Sequence, residues 1–118
     1  MAQQRILCVA YGQAVKERRC QELMAAGYAV VGTTTVKHAA PLLVGNAFDL
    51  VIVGVQFTDE EKEKLVSLAR DKYHIPVLLV CGGEMDGDII ADDRVFAAQG
   101  EEVLLNAAAR LMHLTGDN

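Results

Sequence analysis

Few side chains in this chain are equipped for chemistry: three cysteines, three histidines and an acidic run in the second half. Cys81 is the best placed thiol. It ends an apolar run and precedes Gly82-Gly83, whose amides could cradle an anion. A reactive cysteine needs a basic neighbour to lower its pKa. His74 precedes the same run and so falls at its far end, about 20 Å away at ~3.3 Å per residue. His38 belongs beyond the second strand and His113 near the close of the last helix. The histidines therefore converge neither on Cys81 nor on a zinc ion, and Cys81 reads as a small packed thiol. Glu84, Asp86, Asp88, Asp92 and Asp93 lack the Gly-centred ligand order of an EF-hand and read as a solvated loop. Gly12 precedes a helix, but GxGxxG is absent, so no dinucleotide cofactor and no metal are expected. Lys16, Arg18 and Arg19 form a small basic patch, read as a solvated helix face.

The elements that would position these groups follow from hydrophobic period. Ile6 to Ala10 reads as a strand, and Gln13 to Ala26 as a helix with Cys20, Leu23, Met24 and Gly27 on one stripe, Gly27 being its stop. Ala29 to Thr33 is a second strand, followed by a helix from Val36 to about Gly45 that Pro41 should shorten or kink. Leu50 to Val55 is apolar throughout until Gly54, the mark of a strand buried on both faces. Thr58-Asp59-Glu60-Glu61 is a capping box opening a helix to about Lys72, with Leu65, Leu68, Ala69 and Tyr73 inward. Pro76 to Val80 and Arg94 to Ala98 are further strands, and Glu101 to Leu114 a last helix. Strand and helix alternate as in a doubly wound α/β domain. One crossover is eroded: Gly82 to Asp93 hold three glycines and five acidic residues. The fourth helix is expected to be lost or reduced to a turn around Asp88 to Ala91.

Composition bounds the function. At 118 residues, 52% hydrophobic and 23% charged, the chain reads as a single globular domain over 1–118. Its apolar runs fall short of the ~20 residues that span a bilayer, and no signal peptide opens it. An odd cysteine count without CxxC fits a reducing cytoplasm. A net charge of −5 argues against nucleic acid as the partner of this domain alone.

Asp49-Leu50-Val51-Ile52-Val53-Gly54 resembles the central strand of response-regulator receiver domains, where a second Asp at the sixth position accepts a phosphoryl group. Ile6 to Tyr11 resembles that family's first strand, which ends in two acidic residues. Ala26-Gly27-Tyr28-Ala29-Val30-Val31-Gly32 looks like its helix-to-second-strand turn. Ile75-Pro76-Val77-Leu78-Leu79-Val80-Cys81 is similar to its fourth strand, usually closed by Thr or Ser. Ala91 to Ala97 resembles the approach to the fifth strand, where a Lys usually stands last. The resemblance implies a (βα)5 flavodoxin-like fold, a doubly wound parallel five-stranded sheet of order 2-1-3-4-5. That order separates His38 from Cys81 by about 14 Å of sheet at ~4.8 Å per strand.

At the positions that resemblance marks, this chain has Ala10 and Tyr11 for the Mg²⁺-holding acids, Gly54 for the phosphoacceptor, Cys81 for the hydroxyl and Ala97 for the Lys. Phosphoryl transfer needs a carboxylate nucleophile, oxygen ligands for a hard ion and a cation for the phosphoryl oxygens. The expectation is a non-phosphorylatable pseudo-receiver, not an enzyme, that signals by protein–protein contact. Two other uses stay open: a small-ligand or anion sensor at the glycine-rich carboxyl edge, and thiol chemistry at Cys81. The last helix centres Leu104, Ala107, Ala108 and Leu111 on one stripe, flanked by Val103 and Leu114. Leu105, Ala109 and Met112 widen its apolar arc beyond what one sheet face needs. Those three are the candidate interface of a homodimer.

Overall fold

The apolar runs pair as one parallel sheet in the computed structural model, which describes residues 3–45, 47–54, 56–81, 93–96 and 100–116. The strands are β1 (Arg5–Val9), β2 (Ala29–Thr33), β3 (Leu50–Val53), β4 (Val77–Cys81) and β5 (Asp93–Phe96). Their order is β2-β1-β3-β4-β5, every neighbour parallel. Helices α1 (Gln13–Ala25), α2 (Val36–Gly45), α3 (Asp59–Ser67) and α4 (Glu101–Gly116) complete a flavodoxin-like α/β domain. The helix expected to reach Lys72 does so, but its last turn, Leu68–Lys72, widens to a π-helix. The crossover expected to be eroded, Gly82 to Asp93, lies outside the described residues as far as residue 92, as do Val55, Ala97 and Ala98 at the expected strand ends.

Side chains on a strand alternate between faces, so the fully buried runs of β1, β3 and β4 build two cores at once. Leu7, Val9, Val51, Val53, Val77 and Leu79 face α2 and α3, meeting Val36, Leu43, Leu65 and Ala69. Ile6, Cys8, Leu50, Ile52, Leu78 and Val80 face α1 and α4, meeting Leu23, Leu104, Ala108 and Leu111. Asp49 pins the amino edge: its carboxylate accepts from the Arg5 amide at 2.8 Å, and its own amide donates to the Arg5 carbonyl at 2.7 Å.

Helix ends follow local chemistry. Gly27 sits at φ 104°; its amide donates to the Met24 carbonyl and that of Tyr28 to the Leu23 carbonyl, a Schellman motif. Thr35 accepts from the His38 amide at 3.1 Å, capping α2, and α2 runs on through Pro41. Thr58 accepts from the Glu61 amide, and Glu61 accepts from the Thr58 amide, the expected capping box. His74 takes φ 56°, and the Ile75 amide returns to the Ala69 carbonyl, closing α3 before β4.

Two expected faces are corrected. Met24 is 49% exposed, whereas Arg19, Cys20 and Leu23 are buried. The inward stripe of α1 is thus turned toward Arg19, its i−4 neighbour of Leu23. On α4, Met112 is 1% exposed and lies in the α1–α4 core, one turn beyond buried Ala108. Leu105 is half-buried against that core, and Ala109 is exposed. The expected interface of Leu105, Ala109 and Met112 is therefore not one open surface. Met112→Glu would bury an unpaired carboxylate and is expected to cost more than about 3 kcal/mol in urea unfolding. Ala109→Glu is expected to stay within about 0.5 kcal/mol. Equal midpoints for the two variants would return Met112 to the surface.

Candidate functional site

In an open parallel sheet, ligands gather beyond the carboxyl ends of the strands. Ala10 and Gly54 meet there. The Ala10 amide donates to the Thr33 carbonyl at 3.0 Å and the Gly54 amide to the Val9 carbonyl at 2.8 Å, extending both ladders by one residue. Ala10 is fully buried, whereas Tyr11 is 58% exposed. The Tyr11 ring stands edge-on to Phe57, centroids 5.9 Å apart, so an aromatic pair rims the edge. Cys81 ends β4, in register with Phe96; its side chain, like Ala97 and Gly82-Gly83, lies outside the described residues. Of the five positions singled out in the sequence, Ala10, Tyr11 and Gly54 are thus brought to one place.

Arg19 is the residue that sequence reasoning missed. By sequence it reads as part of a solvated basic patch with Lys16 and Arg18, yet it is 7% exposed. A Cβ on Gly54 would stand 3.2 Å from its Nη1, 3.3 Å from the Val9 carbonyl oxygen and 3.4 Å from the Ala10 Cα. Side chains on a helix lean toward its N-terminus, and the N-terminus of α1 lies at the carboxyl edge. A long side chain at position 19 therefore reaches back to the floor of that edge. Burial pushes the guanidinium pKa down, Cys8 opposes this, and neighbouring Arg18 adds to it. The group remains a cation, as arginine does in proteins. A divalent ion about 5 Å away would feel a repulsion of roughly 3 kcal/mol per unit charge at an effective dielectric near 20.

Gly54→Ala should cost about 1 kcal/mol in urea unfolding, because the Arg19 end moves but the Val9 carbonyl does not. Gly54→Ala combined with Arg19→Met should cost clearly less than the sum of the single changes. Additive costs would place the guanidinium elsewhere.

Beside Arg19, between α1 and the start of α4, lies a cleft of about 250 Å³, lined by Arg18, Arg19, Glu22, Val80, Val95 and Glu101 among others. Partial burial and then the Glu101 carboxyl raise the Glu22 pKa to about 7, against Arg18 and Arg19. The folded state thus holds a proton on Glu22 that the unfolded chain releases near 4.5. This contribution to stability is complete below pH 4.5 and is lost as pH rises through 7. Removing the group in Glu22→Gln should flatten the fall of the unfolding midpoint between pH 4.5 and 8; parallel curves for the two proteins would contradict the pairing.

Thr35 Oγ1 lies 2.8 Å from His38 Nδ1, so that histidine is tied into the α2 cap just beyond the end of β2. Among the described residues no cluster of three or more His, Cys, Asp or Glu is arranged to hold a metal. No helix among them is long and apolar enough to cross a membrane.

No protein-family profile matches the chain. Over 77 residues, 64% of its length, it is 32% identical to the response regulator protein FleR of Pseudomonas aeruginosa, of which the match spans 16%. Among solved structures it superposes on a CheY-like response regulator receiver domain protein from Methanospirillum hungatei with TM-score 0.82 and 19% identity, covering 94% of each chain. It also superposes on a chain from the complex of histidine kinase ThkA with response regulator protein TrrA of Thermotoga maritima. There the TM-score is 0.78 at 19% identity, covering 92% of this chain and 97% of the other. The fold is that of the response-regulator receiver domains.

Proposed function

We propose that this chain is a receiver-like signalling module that does not accept a phosphoryl group and acts through contact with a protein partner. The observation that carries the reading is the pairing of Gly54 with Arg19. Where the family's acceptor carboxylate would stand there is no side chain, and a buried guanidinium fills the space beside it. Ala10 and Tyr11 supply no carboxylate to hold Mg²⁺, which prefers an octahedral oxygen shell. The solved relative that comes from a kinase–regulator complex supports a protein partner for this chain as well. So does an open groove of about 810 Å³ between α2 and α3, lined by Val36, Ala40, Pro41, Val44 and Leu68 among others. Val44 is 66% exposed there, and Lys37, Glu60, Glu61 and Lys64 line the same groove, so it offers a partner both apolar and charged contacts. A homodimer through α4 is no part of this reading, because Met112 is in the core.

Incubation with acetyl phosphate and Mg²⁺, followed by intact-protein mass, tests the reading. Neither the natural chain nor Gly54→Asp should gain a phosphoryl group, since the new carboxylate would pair with Arg19 and still lack the metal ligands. A single phosphoryl group on the natural chain, lost on substituting one of its carboxylates, would overturn the reading.

A further inference from the structure

Cys8 and Cys20 are far apart in type of element but close in space. Cys8 is fully buried in the middle of β1, and Cys20 sits on α1 at the rim of the same core, 9% exposed. Their thiols are hydrogen-bonded to each other. The sheet is shaped for this contact. Cys8 stands opposite Gly32 in the β1–β2 register, and a Cβ on Gly32 would lie 2.5 Å from the Cys20 Sγ. The same Cβ would meet Cγ and Cδ of Lys16 at 3.1 Å. The bare glycine thus leaves the gap that the Cys20 sulfur fills beside Cys8. Lys16, one turn earlier on α1, lies along the same gap.

We propose that Cys8 and Cys20 form an oxidisable dithiol, in which Cys20 reacts with a hydroperoxide and Cys8 resolves the product to an intramolecular disulfide. The Cys20 thiolate attacks the terminal peroxide oxygen; the O–O bond breaks and the alcohol, or water, leaves with a proton. Cys20 is then a sulfenic acid. The Cys8 sulfur displaces its hydroxyl, the S–S bond forms, and water leaves with the Cys8 proton. Two thiols lose two electrons in all, and the peroxide takes them.

The roles follow from the environment. The hydrogen bond from Cys8 brings the Cys20 pKa down to about 7 against the effect of burial, with Lys16 helping. The same bond, then burial, raise that of Cys8, while Arg19 and Lys16 oppose. The rim thiol is the nucleophile and the core thiol keeps the proton. The inference does not depend on whether the domain accepts phosphate.

The reduced full chain is treated with hydrogen peroxide and its thiols are counted and mapped by peptide mass. Two of the three cysteines should disappear together as a Cys8–Cys20 linkage that dithiothreitol reverses. The rate should be half-maximal near pH 7. Cys20→Ser should abolish the linkage, Cys81→Ser should leave it unchanged, and Cys8→Ala should stop at a sulfenic acid that dimedone captures. A linkage through Cys81, no linkage at all, or a half-maximal rate at the ordinary ~8.5 would overturn the proposal. Should Cys8→Ala fail to fold by circular dichroism, the map of the natural chain and of Cys20→Ser decides.

Discussion

Burial of β1, β3 and β4 on both faces is the constraint on which the molecule depends. Every side chain of Ile6 to Val9 and Leu50 to Val53 is in a core, one face answering to α2 and α3 and the other to α1 and α4. A strand so placed has no room for an ionised group without a partner. Polar chemistry is left the carboxyl edge, where the ladders end at Ala10 and Gly54, or side chains that helices send in. Cys8 is admitted to the middle of β1 because a neutral thiol packs as a small hydrophobe.

The second route is the one this chain uses. α1 carries few apolar residues, and its buried set is Arg19, Cys20 and Leu23. It packs by sending long or soft side chains into gaps that glycines leave in the sheet. The Arg19 guanidinium stands over Gly54 in β3's extension, and the Cys20 sulfur and Lys16 methylenes stand over Gly32 in β2. A Cβ at either glycine would crowd these atoms, so each glycine is matched to a residue of α1 rather than to backbone freedom. The electrostatic result at the carboxyl edge is a cation where the receiver fold ordinarily gathers carboxylates. In the proposed reading, that cation disfavours a divalent ion at this edge.

Much of this was legible in the sequence, because it rests on short-range rules. Period in hydrophobicity placed the five strands and the helices within a residue or two. The Thr58–Glu61 capping box and the Gly27 stop formed as read, since each depends on residues within one helical turn. The strand order came with the resemblance, and the sheet has that order. The absence of carboxylates at 10, 11 and 54 is a fact of sequence alone.

What the tertiary structure decided is where flexible side chains end up. Arg19 looks like any surface arginine by composition. Only the approach of α1 to Gly54 shows that its guanidinium is buried. Met112 and Leu105 both extend the apolar arc of α4, and the rotation of that helix on the sheet puts Met112 in the core and leaves Leu105 half-buried. Cys8 and Cys20 are separated by a strand end, a turn and half a helix; the sheet register that sets Gly32 beside Cys8 is what joins them. Sequence fixes an element through contacts a few residues apart, but the partner of a long side chain depends on how separate elements pack.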